Sequence, residues 1–171
     1  AQINPHFLFN TLNNLYYLAT EKSEKAPTAI LQLSEMLDYA MHTGKYEMVP
    51  MEAELKQVKN YIGLELLRYE DRVQVDTSVT GKLEDARIGP MILITLIENA
   101  FKHGVMKVAG KSWINLTIES NAERTTISIR NSWKNEASGN GIGLHNLRGQ
   151  LDLLYGKNYE LLIGVDKPGE F

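Results

Sequence analysis

A histidine near the start of the chain lies on the polar side of a predicted helix. On a helical wheel of residues 2–20 the leucines form one stripe, and the opposite side carries His6, Asn10, Asn13 and Tyr17. Histidine is largely neutral near pH 7, so an exposed imidazole is a competent nucleophile. Asn10, one turn later, is suited to hydrogen-bond the ring or to orient a water. Helix geometry alone favours the simpler interpretation, a solvated histidine without a role.

A second group of polar residues lies on one side of the apolar helix predicted over 91–103. This side combines an amide, a carboxylate, a cation and an imidazole within two turns, from Glu98, Asn99, Lys102 and His103. Mg²⁺ prefers a few protein oxygen ligands together with phosphate oxygens and water, and a lysine neutralises phosphate charge. The alternative is an ordinary amphipathic helix with a solvated face and a glycine cap at Gly104.

A glycine-rich segment leads directly into the last predicted helix and is suited to bind phosphate. Its residues are Gly139, Gly141, Gly143 and Leu144. Glycine lets backbone amides approach a phosphate closely, and a helix N-terminus adds favourable partial charge. The segment is not a Walker A loop, because no Gly-Lys-Ser/Thr follows. A simple turn is the competing interpretation.

The periodicity of the apolar residues predicts the elements that hold these groups. Two helices, 2–20 and a second one after Pro27, form a hairpin with too little core to stand alone, so pairing with a second copy would give a four-helix bundle. A third helix, about 51–69, is followed by alternating strands, the apolar helix and a β-hairpin. A polar loop over 131–141, a last helix and a last strand beginning at Tyr159 complete the order. The charged run from Glu65 to Arg72 is most simply a solvated helix end.

Composition excludes several classes of function. The chain has 171 residues, no cysteine and a net charge of −3, which argues against a disulfide scaffold, thiol chemistry and a nucleic-acid partner. No apolar run approaches the roughly 18 residues that span a bilayer. Because the chain starts without methionine and already in a helical pattern, we expect it to be an excised fragment, with membrane segments possible upstream.

Three motifs, in order, resemble those of the LytS-like sensor histidine kinases. Residues 2–13, QINPHFLFNTLN, closely resemble the family's phosphoacceptor segment. Residues 96–104, LIENAFKHG, resemble the N-box of the GHKL-type ATPases, and Gly139–Leu144 with the following helix is similar to the second glycine box. The resemblance implies that His6 accepts a phosphoryl group and that Asn99 ligates Mg²⁺. It implies phosphate-bordering roles for Glu98, Lys102 and His103, and Glu98 also becomes a candidate base.

One position departs from the family pattern. The family's Asp-x-Gly-x-Gly box, whose aspartate binds the adenine amine, is replaced by a stretch in which Asn131 stands for the aspartate and both glycines are absent. Asparagine still offers an acceptor oxygen, although a neutral and weaker one. Trp133 is placed to cover a base or simply to pack at the loop edge.

The resemblance implies a fold, an activity and partners. We expect an α-helical dimerisation hairpin, 1–45, followed by an α/β sandwich of the Bergerat type, 46–171, truncated at its C-terminus. The expected activity is ATP- and Mg²⁺-dependent phosphorylation of His6, in cis or in trans, followed by transfer to a response-regulator aspartate. We expect a homodimer that forms the cytoplasmic portion of an inner-membrane protein. The alternatives are a degenerate kinase acting as a dimeric scaffold and an ATP-driven clamp of the gyrase type.

Overall fold

The computed structural model describes residues 3–132 and 142–164, which belong to two compact units. The helices of the first unit are α1 (Pro5–Thr20), α2 (Ala26–Thr43), α3 (Met51–Tyr69) and α4 (Ile92–Ala100). Its strands are β1 (Val49–Pro50), β2 (Val73–Gly81), β3 (Arg87–Ile88), β4 (Ser112–Ser120) and β5 (Thr125–Asn131). A 3₁₀ turn, Glu70–Arg72, follows α3, and a π-helical turn, Phe101–Val105, follows α4. The second unit contains α5 (Ile142–Tyr155).

Helix α1 buries a different face from the one that its leucine stripe predicted. Asn4 caps the helix, since its side chain accepts the His6 N–H at 2.9 Å, and Pro5 occupies the first turn, where no N–H is needed. Of the predicted stripe, Leu15 is buried but Leu12 is 48% exposed. The stripe prediction was wrong because α1 has two apolar faces. The face that packs on α2 and α3 within the chain carries Phe7, Thr11 and Leu15.

Helix α2 packs along α3 through both apolar and polar contacts. Ile30 of α2 is 52% exposed. Glu35 Oε2 lies 3.1 Å from Lys56 Nζ and accepts a hydrogen bond from Asn60 at 3.0 Å. The buried residues of α2 include Ala26, Ala29, Leu33 and Met36. Helix α3 buries one apolar side, which includes Leu55, Val58 and Ile62.

Three strands form a mixed sheet in the order β2-β4-β5. Strand β2 pairs with β4 in parallel, so the chain between them crosses over, and this crossover contains α4. Strands β4 and β5 form the predicted antiparallel hairpin, closed by Asn121, whose side-chain oxygen accepts the N–H groups of Glu123 and Arg124. The buried face of β4 consists of Ile114, Leu116 and Ile118. The predicted fold class, a helical hairpin followed by an α/β part, is confirmed.

A buried carboxylate on α3 holds the N-terminus of α4. Glu54 is fully buried, and its Oε1 accepts hydrogen bonds from the Met91 N–H and the Tyr39 hydroxyl, both at 2.7 Å. Its Oε2 accepts the Leu93 N–H at 3.1 Å. The carboxylate therefore satisfies amides that a helix start leaves without partners and complements the helix dipole. Burial raises the pKa of Glu54, and these hydrogen bonds oppose that rise.

The helical run that begins with α4 continues past Gly104. The Met106 N–H donates to the Phe101 carbonyl at 3.0 Å, which extends the helical run as the π-helical turn. A glycine cap at this position is therefore absent, and Gly104 has a different role, described below. Strands β1 and β3 pair as a short antiparallel ribbon that sequence periodicity did not predict.

In the second unit, α5 ends at Gly156, which has φ +57° and donates its N–H to the Asp152 carbonyl at 3.0 Å. The last strand predicted from Tyr159 onward was wrong for the described residues, because 159–164 form no regular element. Among the helices of the described ranges, none is both long enough and apolar enough to cross a membrane.

Candidate functional site

His6 lies in the first turn of α1 with its side chain exposed, as its polar wheel position predicted. The Asn10 amide nitrogen lies 3.2 Å from the imidazole Nδ1 and 3.3 Å from Nε2. The predicted contact between Asn10 and the ring is therefore present. This contact restricts the orientation of the imidazole at the start of α1.

The polar side of α4 is separated from its buried side as the sequence predicted. Glu98 and Asn99 are half-buried, Lys102 is exposed and His103 is half-buried. The opposite side is core and includes Leu93, Ile97, Ala100 and Phe101. Burial lowers the pKa of His103, and the positive charges of Lys107 and Lys102 lower it further. His103 is thus favoured as a neutral imidazole.

A cavity of about 310 Å³ opens between the start of α1 and the end of α4. It brings together four of the predicted residues, His6, Asn10, Glu98 and Lys102. Its other lining residues are Asn4, Phe7, Tyr61, Glu65, Arg68, Phe101 and Met106. Asn99, His103 and Asn131, although described, are not part of this lining. The cavity therefore joins a nucleophile to a cation and a carboxylate that are more than 90 residues away in the sequence.

Two contacts close one wall of the cavity. The Asn4 amide nitrogen donates to Glu98 Oε1 at 2.6 Å. Phe7, the residue after His6, stacks on Tyr61 of α3 with ring centroids 4.5 Å apart. Phe9, on the other flank of His6, is 69% exposed. Of the two phenylalanines that flank His6, Phe7 is therefore the one that fixes the rotation of α1 within the chain.

Glu65 is a cavity residue that the sequence did not reveal. It was expected on a solvated helix end, yet it is only 7% exposed. Its Oε1 accepts a long hydrogen bond from Tyr61 at 3.4 Å, and Oε2 has no partner within the described ranges. Burial raises the pKa of Glu65, and the charge of Arg68 opposes that rise. Its spacing of four residues from Tyr61 on one helix face was the available signal.

Asn131 ends β5 directly against Gly104. A Cβ at Gly104 would lie 2.4 Å from the Asn131 amide nitrogen and 2.8 Å from the Ser132 carbonyl oxygen, so only glycine permits this approach. The Asn131 amide donates to that same carbonyl at 2.7 Å, which leaves its side-chain oxygen directed elsewhere as an acceptor. Asn131 therefore lies beside the turn that follows α4.

Four of the predicted binding residues are described only in part or not at all. Gly139 and Gly141 lie outside the described residues, as does Trp133. Gly143 and Leu144 belong to the first turn of α5, and only their backbone is described.

The donor set on α4 fits a magnesium–phosphate ligand. Asn99 supplies a neutral amide oxygen, a ligand type that Mg²⁺ accepts when phosphate oxygens and water complete the shell. Lys102, one turn later, supplies a positive charge for the same anion. In the described part of the chain, no group of three or more histidine, aspartate or glutamate side chains forms a metal site by itself.

Comparison with known proteins gives a consistent result. Residues 1–73 match the family model described as histidine kinase. The chain is 32% identical to the sensor protein LytS of Staphylococcus saprophyticus, over 99% of this chain and 31% of the relative. It is 30% identical to the sensor histidine kinase YpdA of Escherichia coli, over 94% of this chain and 30% of the relative. The chain thus spans about a third of the length of these relatives.

Among solved structures, the catalytic domain of histidine kinase ThkA is similar, with a TM-score of 0.48 and 16% identity. The match covers 64% of this chain and 80% of that domain.

Proposed function

Since the chain belongs to the LytS-like sensor histidine kinase family, we propose that it uses ATP to phosphorylate its own His6 and then passes the group to an aspartate of a response regulator. The observation that carries the proposal is the shared cavity, which His6 lines together with Glu98 and Lys102. These residues come from two motifs that lie more than 90 residues apart in the sequence, and a reaction that needs both of them would account for their meeting in one cavity.

In the proposed reaction, a nitrogen of the His6 imidazole attacks the γ-phosphorus of ATP in line. The N–P bond forms while the bond to the bridging oxygen breaks, and that electron pair leaves with ADP. The remaining ring N–H gives up its proton, for which the Glu98 carboxylate is the candidate acceptor. Asn10 holds the ring, and Lys102 neutralises phosphate charge, so catalysis is mainly positioning and electrostatics.

Asn99 would hold Mg²⁺, and His103 borders the phosphates as a neutral imidazole. The ion supplies further neutralisation of the phosphate oxygens when it is bound. From the sequence, Gly139, Gly141 and Gly143 would cradle the phosphates with the Leu144 backbone, and Asn131 would accept the adenine amine.

The helical hairpin of residues 1–45 is the proposed dimerisation and phosphoacceptor domain, and residues 46–171 are the ATP-binding domain. Exposed apolar side chains on both hairpin helices support this assignment, because a four-helix bundle with a second copy would bury them. They include Leu12, Tyr16, Ile30 and Leu31. We further propose that the chain is the cytoplasmic portion of an inner-membrane sensor.

Labelling with γ-³²P-ATP and Mg²⁺ tests the function. We expect label that is stable in base and labile in acid, and that disappears in His6→Gln. The matched control is His42→Gln. His42 is likewise an exposed histidine of the hairpin, but it lies in the last turn of α2. Label that persists in His6→Gln, or that is lost equally in His42→Gln, would contradict the proposal.

One observation favours a second candidate, a dimeric scaffold that no longer binds nucleotide. Asn131 replaces the family's aspartate and offers only a neutral, weaker acceptor oxygen. Trp113 reports on this region, because its backbone N–H and carbonyl both bond to Ser132. A tryptophan fluorescence titration with Mg-ATP should therefore saturate if the chain is a kinase, and no response at millimolar nucleotide would favour the scaffold.

A further inference from the structure

The side chain of Asn4 makes two hydrogen bonds that serve different parts of the fold. Its oxygen accepts the His6 N–H at 2.9 Å and so caps α1. Its amide nitrogen donates to Glu98 Oε1 at 2.6 Å, across 94 residues of sequence. One short side chain with both an acceptor and a donor therefore fixes the start of the phosphoacceptor helix and ties it to α4.

A row of aromatic rings makes a second connection between the same elements. Phe7 stacks on Tyr61, and Tyr61 meets the edge of Phe101 at 5.8 Å in the turn that follows α4. The three rings are each less than 5% exposed. Because these contacts lie inside one chain, both the position and the rotation of α1 are set by that chain's own α3 and α4.

These contacts bear on whether His6 is phosphorylated by its own chain or by a second copy. The cavity that His6 lines also contains Glu98 and Lys102 of the same chain. A reaction in trans would require the Asn4–Glu98 bond and the Phe7–Tyr61 stack to separate first.

We propose that Asn4 is a positioning residue that docks the phosphoacceptor helix on α4 of its own chain, and that His6 is therefore phosphorylated in cis. The inference rests on the proposed function. It adds the direction of transfer and a residue whose role is distinct from those of the nucleophile and the phosphate ligands.

Mixed dimers test the direction of transfer. His6→Gln and Asn99→Ala chains carrying different affinity tags are co-expressed, purified through both tags and incubated with γ-³²P-ATP beside wild type. In cis, neither chain has both groups, so label stays at the level of the two inactive homodimers. Strong label on the Asn99→Ala chain would overturn the proposal while leaving the kinase function intact. Absence of label in wild type would instead refute the proposed function itself.

Asn4→Asp tests the positioning role. Aspartate retains the acceptor that caps α1, but it removes the donor and sets two carboxylates against each other. We expect the initial rate of His6 labelling to fall between about tenfold and a hundredfold, as expected for misplaced reacting groups, with unchanged nucleotide affinity. Asn13→Asp, at an exposed asparagine of the same helix, is the matched control and should keep the wild-type rate. An unchanged or raised rate in Asn4→Asp would overturn the docking role.

A second background separates docking from simple helix capping. Glu98→Gln offers an amide that can donate to an aspartate at position 4, so the bond is restored with its direction reversed. In that background, Asn4→Asp should cost little or nothing relative to Glu98→Gln alone. An equal rate loss in both backgrounds would show that the two side chains act independently and would refute the coupling.

Discussion

The two ends of helix α3 each bury a glutamate, and the two carboxylates are treated in opposite ways. At the N-terminal end, Glu54 accepts three hydrogen bonds from α2 and from the start of α4. At the C-terminal end, Glu65 has one long bond to Tyr61 and an oxygen without a partner in the described ranges. Burial raises the pKa of both groups, so the contrast lies in how each is compensated.

The difference separates scaffold from site. Glu54, both of whose oxygens accept hydrogen bonds, fixes the start of α4 against α3. An incompletely bonded carboxylate costs free energy, and folds retain such groups mainly where a cavity must stay polar. The Glu65 end is where His6, Glu98 and Lys102 meet. Three substitutions test this difference between scaffold and site.

Glu54→Ala should have the largest effect. It leaves two buried backbone N–H groups and the half-buried Tyr39 hydroxyl without their acceptor, and each buried group costs roughly 1–3 kcal/mol, so we expect the free energy of unfolding to fall by about 3–5 kcal/mol. The control is Glu52→Ala in the same helix turn, which is exposed and should cost less than about 1 kcal/mol. Urea denaturation measures both. Equal losses would mean that the joint at Glu54 is not special.

Gly104→Ala should have an intermediate effect on the free energy of unfolding. The added methyl would clash with the Asn131 amide and the Ser132 carbonyl, so the end of β5 must shift, at a cost of about 1–3 kcal/mol. Gly149→Ala in α5 meets open space and should instead stabilise by about 0.5–1 kcal/mol. Thermal unfolding of the two variants should therefore shift in opposite directions. A neutral Gly104→Ala would mean that the close approach of Asn131 is not enforced.

Glu65→Gln should have the smallest effect and the opposite sign from Glu54→Ala. Because burial raises the pKa of Glu65, the folded chain binds that proton more tightly than the unfolded chain, so wild type loses stability as pH rises from about 4.3 through the raised value. The neutral amide removes this loss. We expect the variant to gain on wild type across that window, by about 1 kcal/mol or less. Denaturation curves at several pH values test this. A constant difference between the two proteins would contradict it.

The sequence predicted the elements of this fold better than their faces. The third helix, the apolar helix and the β-hairpin follow from periodicity, whereas the first helix, predicted from residue 2, begins at Pro5 after the Asn4 cap. The buried face of α1 could not be predicted, because the helix has apolar residues on two sides. The fold selects the face through Phe7, which has Tyr61 as a partner.

The sequence motifs identified several residues of the candidate site, but they did not reveal the contacts between these residues. His6, Asn10, Glu98 and Lys102 were identified and lie around one cavity. Asn4 was part of the recognised string, but its bond to Glu98 spans 94 residues and leaves no local pattern. Glu65 was misjudged because a glutamate in a charged run is normally solvated, whereas this one is buried beside Tyr61.

The central claim is that ATP phosphorylates the imidazole at position 6. The most direct measurement is peptide mapping by mass spectrometry at mildly alkaline pH, after wild type has been incubated with Mg-ATP. The account predicts a phosphate on His6 and none on His42, His103 or His145. A modified peptide elsewhere, or an unmodified His6 in protein that demonstrably binds ATP, would contradict it.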